Sequence, residues 1–103
     1  MLAAARRAVS LIEGRSRQDL DSDDVLALAL TRLLEIIGEA ARGLSAETIA
    51  RHPQLPWRQM TATRDRLIHG YFSVDLDIIW EIIDHDLPPV IKELEAIVPS
   101  EEA

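Results

Sequence analysis

Apolar residues recur along this chain at intervals of three and four positions, and glycines, prolines or short polar clusters separate the runs. This spacing puts the apolar residues on one face of an α-helix, and no segment shows the strict alternation of a surface strand. The pattern predicts one all-α domain over residues 1–103, an up-and-down helical bundle. Four long helices and one short helix are expected: a first helix ending at Gly14, a second over Asp23–Arg42, a short third over Ser45–Arg51, a fourth over Trp57–His69 and a last one from Val74.

The second predicted helix has apolar residues on two sides. One stripe contains Leu26, Leu30, Leu33, Ile37, Ala41 and Leu44, and the other contains Val25, Leu28, Ala29 and Ile36. A surface helix of a monomer needs only one apolar stripe, so the second one meets either another subunit or the centre of the bundle. Gly38 lies within this helix, where glycine costs about 1 kcal/mol relative to alanine. We therefore expect another helix to approach closely at Gly38.

Two breaks are predicted in the second half of the chain. Gly70 is expected to end the fourth helix, because glycine readily adopts the backbone conformation that follows a helix. Pro88 and Pro89 lack backbone N–H groups, so they cannot continue an unbroken hydrogen-bond ladder. The last helix should therefore kink or break near His85-Asp86.

Composition narrows the class of protein. The chain has no cysteine, which excludes disulfides and thiolate metal sites. No apolar run approaches the roughly 18 residues that cross a bilayer, and Met1 to Val9 lacks the long apolar region of a signal peptide. A soluble cytoplasmic protein is expected. The net charge of −7 is uneven, since residues 1–66 carry ten basic and nine acidic residues and residues 67–103 carry one and nine. Any anion site must therefore be local, and binding to duplex DNA is not expected.

Chemistry is concentrated between Arg64 and Phe72, which read Arg-Asp-Arg-Leu-Ile-His-Gly-Tyr-Phe. On a continuous helix Asp65 and His69 share a face, and Arg66 also neighbours His69. Arg64 and His69 would instead be about 140° apart around the axis. If these two act together, either the helix unwinds near Gly70 or the partners come from two chains. A two-fold dimer would pool two arginines and two histidines in one cleft.

Such a cleft could cleave RNA without a metal ion. The imidazole of His69 can take the proton of a 2′-hydroxyl or protonate the leaving oxygen. The guanidinium of Arg64 can bind the phosphate through paired hydrogen bonds and stabilise its developing charge. The plainer interpretation is that His69 caps a helix terminus, that Arg64 and Arg66 are solvated, and that Tyr71 belongs to the core.

The longer pattern resembles the HEPN superfamily, and within it the HepT-like toxins, whose hallmark is Arg-x4-His-x-Tyr. The residues that carry the resemblance are Arg64 to Phe72 with Val74-Asp75-Leu76, Leu34 to Ala41, Pro53 with Pro56-Trp57, and Asp86-Leu87-Pro88-Pro89. Together they span about Gly14 to Val98.

The resemblance implies a homodimeric, metal-independent ribonuclease that needs no cofactor and acts as the toxin of a toxin–antitoxin pair. Arg64 and His69 match the catalytic pair, with Asp65 and Arg66 as supporting residues. Tyr71 matches the tyrosine to which a minimal nucleotidyltransferase antitoxin transfers AMP, which silences the toxin. The expected partners are an RNA substrate, the antitoxin and a second copy of the chain. The alternative is a non-catalytic helical module that docks a nucleotidyltransferase, which the acidic residues after Leu67 would suit.

Three other sets of polar residues are interpreted separately: Glu35 with Glu39, then His52, and then His85 with its neighbouring aspartates. Glu35 and Glu39 are four residues apart, so they either contact Arg64 or Arg66 or face solvent. His52 is expected at the surface. His85 lies between Asp84 and Asp86, but adjacent residues on a helix point apart, so no metal site is expected there.

Overall fold

Helices account for most of the chain that the structure describes. This computed structural model describes residues 1–69 and 73–97, with the backbone alone at positions 64, 65, 68, 69, 73 and 74. The α-helices are α1 (Leu2–Ile12), α2 (Asp19–Ser22), α3 (Asp24–Arg42), α4 (Ala46–Arg51), α5 (Trp57–Thr61), α6 (Thr63–Leu67), α7 (Leu76–Glu81) and α8 (Leu87–Ile97). A π-helical turn (Ile82–Asp86) joins α7 to α8, and strands β1 (Ile68–His69) and β2 (Ser73–Val74) form a short antiparallel pair.

The all-α prediction is confirmed, but the helices are divided differently. The predicted helix over Trp57–His69 is broken at Ala62 and ends at Leu67. The polar connection before α3 contains the additional short helix α2. The expected irregularity near His85-Asp86 is present as the π-helical turn. Among the described residues, no helix is both long and apolar enough to cross a membrane.

Helix α3 runs through the middle of the bundle and contacts α1, α5 and α6. The side chain of Asp23 caps its N-terminus by accepting a hydrogen bond from the backbone N–H of Leu26 at 3.0 Å. This bond, together with the nearby Arg15, lowers the pKa of Asp23. The buried residues of α3 are Leu26, Leu30, Leu34, Ile37, Gly38 and Ala41. The first predicted stripe is thus confirmed at four positions, while Leu34 is buried more deeply than the predicted Leu33.

The second apolar stripe of α3 does not lie at the centre of the bundle. The side chains of Val25 and Leu28 are 77% and 70% exposed, and Ala29 and Ile36 are half-buried. Burying two large apolar side chains at an interface is favourable by roughly 25 cal/mol per Å² of apolar area. The interpretation that another subunit covers this side remains a prediction, and the bundle-centre interpretation is wrong for Val25 and Leu28.

The close approach predicted at Gly38 is confirmed. A Cβ atom at Gly38 would lie 3.1 Å from the backbone carbonyl oxygen of Met60 and 4.0 Å from the Cβ of Thr63. These two atoms belong to α5 and α6, so the missing side chain lets both short helices pack directly on α3. Gly38 therefore sets the position of the backbone that carries Arg64.

We expect Gly38→Leu to lower the free energy of unfolding by about 1–3 kcal/mol, because the added atoms would overlap a backbone carbonyl that cannot rotate away. Gly43→Leu is the matched control, since a Cβ there would lie 3.6 Å from the nearest neighbouring oxygen, an ordinary contact. Chemical denaturation of both variants measures the difference. Equal stability of the two variants would contradict the packing role of Gly38.

Candidate active site

The site begins on α6, which carries Arg64, Asp65 and Arg66 and contacts α3 and α7. Two buried residues of α6 face the core: Leu67 is 1% exposed and Thr63 is 5% exposed. The hydroxyl of Thr63 donates a hydrogen bond to the carbonyl of Gln59 at 3.0 Å, which ties α6 back to α5 across the break at Ala62. The backbone of Arg64 is thus fixed although the helix that bears it is short.

His69 lies on strand β1, not on the helix. The backbone N–H of Asp75 donates to the carbonyl of Leu67 at 2.7 Å, and β1 then pairs with β2 so that His69 is opposite Ser73. The prediction that Asp65 and His69 share one helical face is therefore wrong, because the helix ends before His69. The same holds for the predicted neighbourhood of Arg66 and His69.

The end of α6 also changes the relation between Arg64 and His69. The expected separation of about 140° assumed an ideal helix through both residues. The structure shows the first of the two predicted alternatives, unwinding before Gly70. Helix geometry therefore no longer forces the two residues onto different sides of one chain. Pairing of Arg64 with His69 across two chains therefore stays a prediction, and so does the alternative of pairing within one chain.

Arg66 contacts the last helical segment. Its Nη2 atom lies 4.0 Å from Oδ2 of Asp86, and both side chains are about 40% exposed. An ion pair with this exposure and distance contributes little to stability. Arg66 remains available to a phosphate, and its supporting role stays a prediction. The sequence around Arg66 did not reveal Asp86 as its partner, because the two residues meet only where the π-helical turn packs near α6.

Tyr71, the predicted AMP acceptor, lies outside the described residues, together with Gly70 and Phe72. Of the pair Glu35 and Glu39, Glu39 is near Arg32, with 3.9 Å between Oε1 and Nη1, and is 58% exposed. Its solvent-facing interpretation is favoured over a contact with Arg66, since Arg66 faces Asp86.

The histidines outside the motif have different surroundings. The carbonyl of His52 accepts a hydrogen bond from the indole N–H of Trp57 at 2.8 Å, and its side chain is half-buried, not fully at the surface. His85 is exposed, and its ring lies near the carboxylates of Glu81 and Asp86, with the possible ligand atoms all within 4.8 Å of one another. His85 and Asp86 both approach Glu81, which is four and five residues earlier across the π-helical turn, so the argument that these adjacent side chains point apart fails there.

Comparison with known proteins identifies the family of this chain. The family model "Ribonuclease HepT-like" matches residues 1–97. A protein of Caldanaerobacter subterraneus subsp. tengcongensis named "Putative RNase TTE0752" is 40% identical over 90% of this chain and 83% of its own length. "Probable ribonuclease HepT" of Thermococcus cleftensis is 37% identical over 87% and 86%. No solved structure matches the chain. A family match over nearly the whole chain, together with a helical fold and the Arg-x4-His spacing of Arg64 and His69, shows that this chain belongs to the HepT-like ribonucleases of the HEPN superfamily.

Proposed function

We propose that this protein is a metal-independent ribonuclease that acts as the toxin of a toxin–antitoxin system. The observation that carries the proposal is the family match over residues 1–97, which includes the Arg-x4-His-x-Tyr motif. The names of the relatives describe RNases. The backbone of the motif supports the proposal, because α6 and the β1–β2 pair hold Arg64 and His69 at the two ends of one short, packed segment.

The proposed reaction is an internal transesterification of RNA. His69 removes the proton of a 2′-hydroxyl, the 2′-oxygen attacks the adjacent phosphorus, and the bond from phosphorus to the 5′-oxygen breaks. The products are a 2′,3′-cyclic phosphate and a 5′-hydroxyl, and the leaving oxygen takes up a proton from an imidazolium. Arg64 binds the phosphate and stabilises the negative charge of the transition state. Asp65 and Arg66 support the pair.

The active form is proposed to be a homodimer whose cleft contains two copies of the motif. The exposed side chains of Val25 and Leu28 on α3 support this, since they form an apolar surface that a second copy would cover.

Leu28→Glu is expected to shift the protein from dimer to monomer, because the interface would then bury an unpaired carboxylate. Ala3→Glu is the control, as it adds the same charge at an exposed position of α1. Analytical ultracentrifugation measures the mass of each variant. A dimer of unchanged affinity in Leu28→Glu would contradict this interface.

Mixed dimers test whether the two chains share a site. If Arg64 of one chain acts with His69 of the other, a dimer of one Arg64→Ala chain and one His69→Ala chain keeps one intact pair. It should then regain about half of the wild-type activity, while each parent homodimer stays inactive. Tagged chains purified as the mixed dimer provide the measurement. No recovery in a confirmed mixed dimer would mean that each chain supplies its own pair.

The proposed regulator is a minimal nucleotidyltransferase antitoxin that transfers AMP from ATP to the phenol oxygen of Tyr71, releasing pyrophosphate. Tyr71 is two residues from His69, so a bulky anionic group there would block the cleft and compete for its arginines.

The second candidate is the non-catalytic module that docks a nucleotidyltransferase. The exposed carboxylates of Glu81 and Asp84 favour it, because they repel RNA phosphate from the end of α7 and from the π-helical turn. Growth arrest on expression of this chain alone fits the ribonuclease and not the module.

A further inference from the structure

A groove lies between the end of α3, α4 and α5, and its last lining residues directly precede α6 in the sequence. Its volume is about 430 Å³, and it is lined by Arg42, Ile49, Trp57, Arg58, Thr61 and Ala62. No carboxylate lines it. The grooves near α8 and the π-helical turn, in contrast, include Asp86 and Glu93 or Asp84 and Glu13.

The two arginines of this groove are exposed, and neither forms an ion pair with another described side chain. Most other arginines with described side chains do form one; Arg6, for example, binds Glu95 at 2.8 Å. Unpaired guanidinium groups that line an open groove attract phosphate, which each of them can bind through two parallel hydrogen bonds. In a protein of net charge −7, such a cluster is a local anion site.

The groove also adjoins the motif along the chain. Thr61 in its wall precedes Arg64 by three residues, across the break at Ala62. The floor of the groove is held in place by Trp57, whose indole N–H is bonded to the carbonyl of His52 at 2.8 Å. Because Trp57 is only 9% exposed, its ring offers little surface for base stacking. The groove is therefore suited to the sugar–phosphate backbone of a nucleic acid strand.

We propose that this groove binds the backbone of the RNA substrate, with Arg42 and Arg58 contacting two phosphates next to the one that is cleaved. This inference rests on the proposed ribonuclease function and extends it by assigning a path for the strand outside the catalytic pair. Binding through phosphates is independent of sequence, so the groove would supply affinity and not base specificity.

The size of the effect follows from counterion release. For single-stranded nucleic acids, each phosphate contact makes the negative slope of log K against log salt steeper by about 0.7. One contact therefore raises the affinity by a factor of about five at 0.1 M salt. Loss of both arginines is thus expected to weaken binding about 25-fold at 0.1 M salt and to make the slope shallower by about 1.4.

The test uses the full chain and a short fluorescein-labelled single-stranded RNA whose 2′-hydroxyls are methylated, so that it is bound but not cut. Fluorescence anisotropy at several salt concentrations compares Arg42→Gln/Arg58→Gln with wild type. The matched control is Arg6→Gln/Arg7→Gln, which removes the same charge from a groove on α1. Arg42→Lys/Arg58→Lys, which keeps the charge, should retain most of the affinity. Thermal unfolding by circular dichroism establishes that all variants are folded.

The inference is overturned if both double glutamine variants lose affinity equally, or if Arg42→Gln/Arg58→Gln binds like wild type. Cleavage of unmodified RNA by wild type is measured alongside. If wild type does not cleave RNA but its binding depends on Arg42 and Arg58, the ribonuclease function is rejected and the binding groove is kept. If wild type cleaves RNA but its binding does not depend on these arginines, the ribonuclease function is kept and the binding groove is rejected.

Discussion

RNA cleavage is expected to fall about 100- to 10,000-fold in His69→Ala, the range that a positioned general acid–base group contributes. Arg64→Ala should lose about 100-fold or more, because a single preorganised donor to a developing negative charge contributes that much. The measurement is the initial rate of cleavage of a labelled RNA by each purified dimer.

Matched controls come from elsewhere in the chain. His85→Ala removes an exposed histidine in the π-helical turn, and Arg7→Ala removes an exposed arginine on α1. Both should cleave at nearly the wild-type rate. Equal residual activity in all four variants would mean that the activity does not come from Arg64 and His69.

Modification of Tyr71 is expected to abolish cleavage completely, since the AMP group would occupy the cleft in every modified chain. Tyr71→Phe should cleave RNA at close to the wild-type rate and resist silencing, because it lacks the acceptor oxygen while keeping the ring. Co-expression with a nucleotidyltransferase encoded beside this gene, followed by intact-mass measurement and the cleavage assay, checks both properties.

The aromatic neighbour of Tyr71, Phe72, provides the comparison for this experiment. Phe72→Leu leaves the acceptor in place, so it should still gain AMP and lose activity. Addition of AMP to Tyr71→Phe, or full activity of a chain that carries AMP on Tyr71, would contradict the proposed regulation.

Much of the fold could be predicted from local spacing. The first and longest helices follow from apolar residues every three to four positions. The first one ends at Ile12, two residues before the predicted Gly14, whose φ of 73° is a conformation that favours glycine. Pro88 and Pro89 correctly indicated an irregular turn just before them, because missing N–H groups act on the preceding residues. Gly38 correctly indicated a close contact.

The rest depends on contacts between distant segments. The break at Ala62 lies where α5 and α6 pack on Gly38, and the end of α6 at Leu67 is fixed by the N–H of Asp75 and by the pairing of β1 with β2. Neither contact leaves a signal in the residues around Leu67. A helix through His69 was the natural prediction, since the next glycine is Gly70.

The same limit applies to the candidate site. The sequence identified Arg64, His69 and Tyr71 by a compact motif, but it could not reveal that Asp86 lies near Arg66. Nor could it reveal the arginine groove, because Arg42 and Arg58 are on different helices and meet only through the packing of α5 on α3.

The most direct test of the ribonuclease is the chemistry of the RNA ends that it produces in the presence of EDTA. A mechanism in which His69 activates the 2′-hydroxyl predicts cleavage that EDTA does not inhibit, with 2′,3′-cyclic phosphate and 5′-hydroxyl ends. Cleavage that requires a divalent metal ion and leaves 5′-phosphate ends would contradict it, because the nucleophile would then be water and not the RNA itself.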